Sequence, residues 1–99
     1  MSEITNVLDT VEEKANEIVI ISETLKGFEH DEESYKEEYD DVKKKFDDGI
    51  ISKGSFDSII SKNREKITQL KQQKKESWDQ LISLLNSVTD LLAKIKDHY

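Results

Sequence analysis

An all-α, elongated antiparallel helical hairpin is the fold this sequence predicts, on three observations. The 99 residues contain no proline. Apolar residues recur in alternating steps of three and four on both sides of the midpoint, the spacing of a helix with one buried stripe. Between the two halves, Asp48-Gly49-Ile50-Ile51-Ser52 supplies a helix stop followed by a helix start. Gly49 can take the left-handed conformation that closes a helix, and Ser52 can accept a bond from an early backbone N–H of the next one. Ile51 before that cap and Phe56 four positions after it form a hydrophobic staple.

The first helix is expected from about Glu3 to Lys26, capped by Ser2. Its apolar seam reads Ile4, Leu8, Val11, Ala15, Ile18 and Leu25, with Val7, Ile21 and Phe28 as a flanking row. Gly27 is expected to end or bend it. A second helix, about 31–48, carries a narrower stripe of Tyr35, Tyr39, Val42 and Phe46 and an acidic exposed face. After the turn, Phe56, Ile60, Asn63, Ile67 and Leu70 form a seam that Leu81, Leu84, Val88, Leu91 and Ile95 resume in phase, with Lys74 and Ser77 between them. The stretch 71–77 has no Gly or Pro and consists mostly of good helix formers. One long helix over about 53–97 follows, whereas a reversal at Gln72–Lys75 would give four shorter helices. The whole, residues 1–99, is expected to be a single helical domain.

Folding about the turn sets residue i near residue 102 − i, and charge is consistent with that register. The segment Glu29 to Asp41, with eight acids against a single Lys36, falls opposite Lys62, Arg64, Lys66 and Lys71, with Lys74 and Lys75 just beyond. Exposed ion pairs of this kind add only about 0.2–1 kcal/mol each, so they select register more than they stabilise. The same register lays the first helix beside residues 77–98, and both segments are unusually apolar. The doublets Leu81-Ile82, Leu84-Leu85 and Leu91-Leu92 spread beyond a two-helix seam. A lone hairpin would therefore leave apolar surface at this end, and large exposed patches mark interaction sites.

Composition narrows the function classes. Apolar residues are 34% and charged residues 37% of the chain, which fits long helices with wide solvated faces. The absence of cysteine removes disulfides, thiol catalysis and Cys-based zinc sites, and fits a cytoplasmic chain. The longest apolar run, Ile18-Val19-Ile20-Ile21, is far short of a bilayer span, and the Met1-Ser2-Glu3 start has no signal-peptide pattern. A net charge of −7 opposes general affinity for nucleic acid or anionic membrane. Only residues 51–75 are basic, at +5, against −4 for residues 1–28, −6 for 29–50 and −2 for 76–99.

No catalytic, metal or cofactor signature is present. His30 and His98 lack the Glu three positions before them that di-metal helical bundles use. Asp31-Glu32-Glu33 lacks the spaced oxygen ligands and turn glycine of a calcium loop. Trp78 reads either as core or as a partner-binding anchor, and Asn63 and Lys74 either set register or face water.

Residues 39–66, especially Val42-Lys43-Lys44-Lys45-Phe46-Asp47-Asp48-Gly49-Ile50-Ile51-Ser52 with Phe56, resemble the short helical hairpin called the SHOCT domain. Lys53-Gly54-Ser55 departs from the acidic residues usual in that motif's second helix. The resemblance implies an accessory hairpin associated with oligomerisation or binding, with no catalytic residues to carry over. In size, acidity and mid-chain turn the chain also looks like the helical hairpins exported by type VII secretion systems, although their Trp-x-Gly turn is absent.

The expectation is thus a non-enzymatic protein–protein interaction or assembly module without cofactor, metal or small-molecule substrate. It would self-associate through its apolar end into a four-helix bundle or take a helical protein partner. The partner-binding residues would be Leu8, Val11, Ile18, Ile21, Trp78, Leu81, Leu85 and Leu92, with Gly49, Ile51, Ser52 and Phe56 forming the structural turn. An exported type VII-like partner protein and a nucleic-acid binder acting through residues 62–75 are the alternatives.

Overall fold

The computed structural model describes residues 2–98, and these form two α-helices without a strand among them. Helix α1 runs Glu3–Asp47 and α2 runs Lys53–Lys96. Packing divides the chain into a terminal unit, Met1–Leu25 with Glu76–Tyr99, and a turn unit, Lys26–Lys75.

The turn forms as its residue types dictate. Gly49 has φ +74°. Its N–H donates to the Phe46 carbonyl at 3.0 Å and the Ile50 N–H donates to the Lys45 carbonyl at 2.8 Å, the two bonds of a Schellman stop. Ser52 then caps α2, its Oγ accepting from the Ser55 N–H at 3.2 Å. Ser2 caps α1 in the same way, accepting from the Thr5 N–H at 3.2 Å. Immediately beyond the turn the Phe46 and Phe56 rings stack with centroids 4.5 Å apart, the first layer of the 102 − i register.

One expected boundary is corrected: α1 does not stop or bend into two helices at Gly27 but continues through Phe28, Glu29 and His30. A lone glycine in a helix costs about 1 kcal/mol relative to alanine, and the packing on either side more than offsets that. The seam positions explain why. Ile4, Val7, Val11, Lys14, Ile18, Ile21, Leu25, Phe28, Glu32, Tyr35, Tyr39, Val42 and Phe46 are all covered or half-covered and follow one another in steps of three and four without a fault. Leu8 and Ala15 are therefore off the seam and exposed, and the supposed flanking row of Val7, Ile21 and Phe28 is half of the seam itself.

In α2 the seam is the expected one: Phe56, Ile60, Asn63, Ile67, Leu70, Lys74, Ser77, Leu81, Leu84, Val88, Leu91 and Ile95. The helix passes through 71–77 without reversal. Writing the repeat a to g with a and d on the seam, the register in which residue numbers sum to 102 sets the a positions of α1 from Val11 to Phe46 opposite d positions of α2, and the Phe46–Phe56 stack falls on it. The core is thin. Val42, Ile60, Leu70 and the polar Asn63 are buried in the turn unit, whereas Val7 and Leu25 are the buried side chains of the terminal unit among the described residues.

Thermal unfolding by circular dichroism should separate the two glycines. Gly27 is exposed in mid-helix and a Cβ there meets nothing, so Gly27→Ala should stabilise by about 0.5–1 kcal/mol, a rise of several degrees in Tm. Gly49→Ala places a side chain in the left-handed region and should lower Tm, costing about 1–2 kcal/mol.

Candidate helix-docking face

Two polar groups lie on the α2 seam of the turn unit. Asn63 is 2% exposed, and its Nδ2–H donates to the Tyr35 carbonyl at 3.1 Å. A purely apolar seam tolerates a slip along the helix, but a slip here would strand the Asn63 amide away from its acceptor. Lys74 bridges to α1, its Nζ donating to Glu32 Oε2 at 3.0 Å and pairing with Glu29. Hydrogen bonding to Glu29 and then Glu32 raises the Lys74 pKa above the ordinary lysine value. The Lys74 hydrogen bond and charge hold Glu32 below the ordinary carboxylate value, with Lys36 one turn away at 3.7 Å adding to the effect. Lys66 instead lies over the Tyr35 ring, 5.8 Å from its centroid.

The terminal unit differs from the turn unit at the positions beside the seam. In an antiparallel pair the e positions of both helices border one side and the g positions border the other. A shallow groove confirms the pairing of the g edges: Glu17, Ile20 and Ile21 of α1 line it together with Gln80, Ser83 and Leu84 of α2. On the e side of the turn unit stand Glu29, Lys36, Lys43, Asp57, Arg64 and Lys71, all charged. In the terminal unit the same positions hold Leu8, Ala15, Ser22, Trp78, Leu85 and Leu92.

The neighbouring b positions add Val19 and Ile82, and together these give six large apolar side chains that remain 47–59% exposed. Along α2 the row Trp78, Ile82, Leu85, Thr89, Leu92 steps by four and three, a second heptad stripe beside the first. No residue of α2 beyond Leu70 is buried, although its seam there is aliphatic at Leu81, Leu84, Val88, Leu91 and Ile95.

The eight residues expected to bind a partner therefore divide. Val11, Ile18, Ile21 and Leu81 are half-covered on the seam within the chain, whereas Leu8, Trp78, Leu85 and Leu92 lie on the exposed face. Trp78 is at the surface and is not core. Val19 and Ile82 belong to the face as well, and the signal that finds them is the spacing of four after Ala15 and Trp78.

The basic residues 62–75 do not all share a side: Arg64, Lys71 and Lys75 occupy e, e and b positions on one side, Lys62 and Lys66 c and g positions on the other, and Lys74 an a position on the seam. Among the described residues no group of His or acidic side chains could hold a metal ion, and no helix is long and apolar enough to cross a membrane. No protein-family model, curated protein or solved structure matches the chain.

The Lys74 bridge carries a pH signature. Because the Glu32 pKa is lowered, its contribution is present above the ordinary carboxylate pKa and is lost as pH falls through the lowered value. Because the Lys74 pKa is raised, its contribution is present below the ordinary lysine pKa and is lost as pH rises through the raised value. Urea midpoints measured from about pH 6 down to about pH 3 should fall less steeply for Glu32→Gln than for the unaltered chain.

Proposed function

We propose that this chain is a non-enzymatic helical assembly module, and that it associates through the e-side face of its terminal unit. The observation that carries the reading is the second heptad stripe, half exposed where the turn unit has charged residues at e and no apolar residue at the b positions of α2. A heptad row of this kind is what a further helix packs into, by knobs into holes, and two such rows on one helix are what bundle helices use. Burying the exposed half of a leucine side chain is worth about 1 kcal/mol, so covering the six gives a useful driving force before the cost of association. The docked helix could come from a second copy, completing a four-helix bundle, or from a different protein. The SHOCT-like character of residues 39–66 accords with an accessory hairpin of the same general class.

Light scattering on the chain alone and with candidate helical partners tests this. Association should be abolished by the pair Leu85→Asp and Leu92→Asp and kept when Lys43, Lys44 and Lys45 are each replaced by Glu. For a second copy the mass should approach twice 11.5 kDa with rising concentration. The reverse pattern of variants would place association on the turn unit and overturn the reading.

A further inference from the structure

We infer that the helix received by this face is a basic amphipathic helix of another protein, an inference that rests on the docking reading above. The chain's net charge is distributed very unevenly. Residues 1–25 and 76–99 hold ten acidic residues against three lysines, whereas residues 26–75 hold twelve acidic and twelve basic residues. The terminal unit thus carries the whole charge of −7 and the turn unit is neutral.

Four of the ten acids of the terminal unit stand beside the apolar face, and none occupies its centre. The e positions are uncharged on both helices. Glu12 interrupts the row on α1, and Asp9, Glu23 and Asp79 stand at f positions immediately outside it, all four exposed. Lys96, at the far end of α2, is the one cation at an e, b or f position of this unit.

An apolar strip with an acidic rim is complementary to a helix with an apolar stripe flanked by lysine or arginine. It is not complementary to itself. Two copies docked face to face would bring together two units of charge −7 and set acidic rim against acidic rim. The same sign repels an anionic bilayer. The geometry also sets the length of the partner. From Trp78 to Leu92 the row spans about two heptads, close to 21 Å at 1.5 Å per residue, so a partner helix of about 18 residues covers it.

Trp78 is the only tryptophan in the chain and heads the row, so its emission reports occupancy directly. The full chain is titrated with two synthetic 18-residue helices that lack tryptophan and share one Leu/Ile heptad stripe, one flanked by lysines and the other by glutamates. The expected result is a blue shift of Trp78 emission with the lysine peptide, at least tenfold tighter than with the glutamate peptide at about 50 mM salt. That preference should shrink severalfold at about 500 mM salt. Asp9→Lys, Glu12→Lys and Asp79→Lys, all at exposed positions, should together reduce or reverse it, and Leu85→Asp should abolish the shift.

Equal binding of the two peptides, or preference for the glutamate peptide, overturns the inference. If neither binds while the chain is a dimer that Leu85→Asp with Leu92→Asp dissociates, the occupant is a second copy; the inference fails and the docking reading stands. If neither binds and the chain is monomeric at all concentrations, both fail.

Discussion

The packing in each unit depends on one constraint, the alignment of α1 with α2 so that paired residue numbers sum to 102. The turn sets it, because Gly49 and Ser52 fix where α1 stops and α2 starts to the residue. The Phe46–Phe56 stack reads it first, and the Asn63 amide and the Lys74 bridge hold it against slippage within the turn unit. In the terminal unit the aliphatic seam follows the same pairing. Apolar contacts between like-shaped side chains specify alignment poorly, whereas a buried amide with one carbonyl in reach specifies it well.

The two units use this common alignment differently. In the turn unit, charged residues flank the seam on both sides, acids balance bases, and the seam is covered where Val42, Ile60, Asn63 and Leu70 meet. In the terminal unit, apolar residues continue past the seam, six large ones onto the e side and Ile20 onto the other, and Asp9, Glu12, Glu23 and Asp79 stand beside the e-side face. A helix pair alone can bury a strip two residues wide, so the additional apolar width has no intramolecular partner. The division of labour is between a unit that settles how the chain is aligned and a unit whose exposed side is suited to a third helix.

Much of this was legible in the sequence. The Gly49 stop, the Ser52 cap, the α2 seam and the continuity of residues 71–77 follow from local residue chemistry, and each is present in the structure. The greasy terminal end was legible too, from the leucine doublets. The continuity at Gly27 is not legible from the glycine itself, which reads locally as punctuation, but only from the phase of the seam positions on its two sides. Leu25, Phe28, Glu32 and Tyr35 step by three, four and three across it, so a break would have misaligned an otherwise faultless repeat. The same choice of phase put Leu8 and Ala15 on the seam in place of Val7 and Lys14. A lysine at a seam position counts against a phase in a sequence reading, yet Lys14 sits there half-covered, its long stem able to pack while its ammonium reaches water.

The 102 − i pairing also orders the contacts by the length of chain between partners. Phe46 and Phe56 are 10 residues apart, Asn63 and Tyr35 are 28, Lys74 and Glu32 are 42, and Glu3 and His98, whose side chains approach to 4.0 Å, are 95. Closing a longer loop costs more chain entropy, so pairing is expected to start at the turn and travel outward. During synthesis the consequence is a long wait at one end: the aliphatic arm of α1 made first is the one whose partner in α2 is made last. Until then the apolar stripe of residues 3–25 has no helix of this chain to pack against, and like charge on its exposed acids opposes pairing with another such arm.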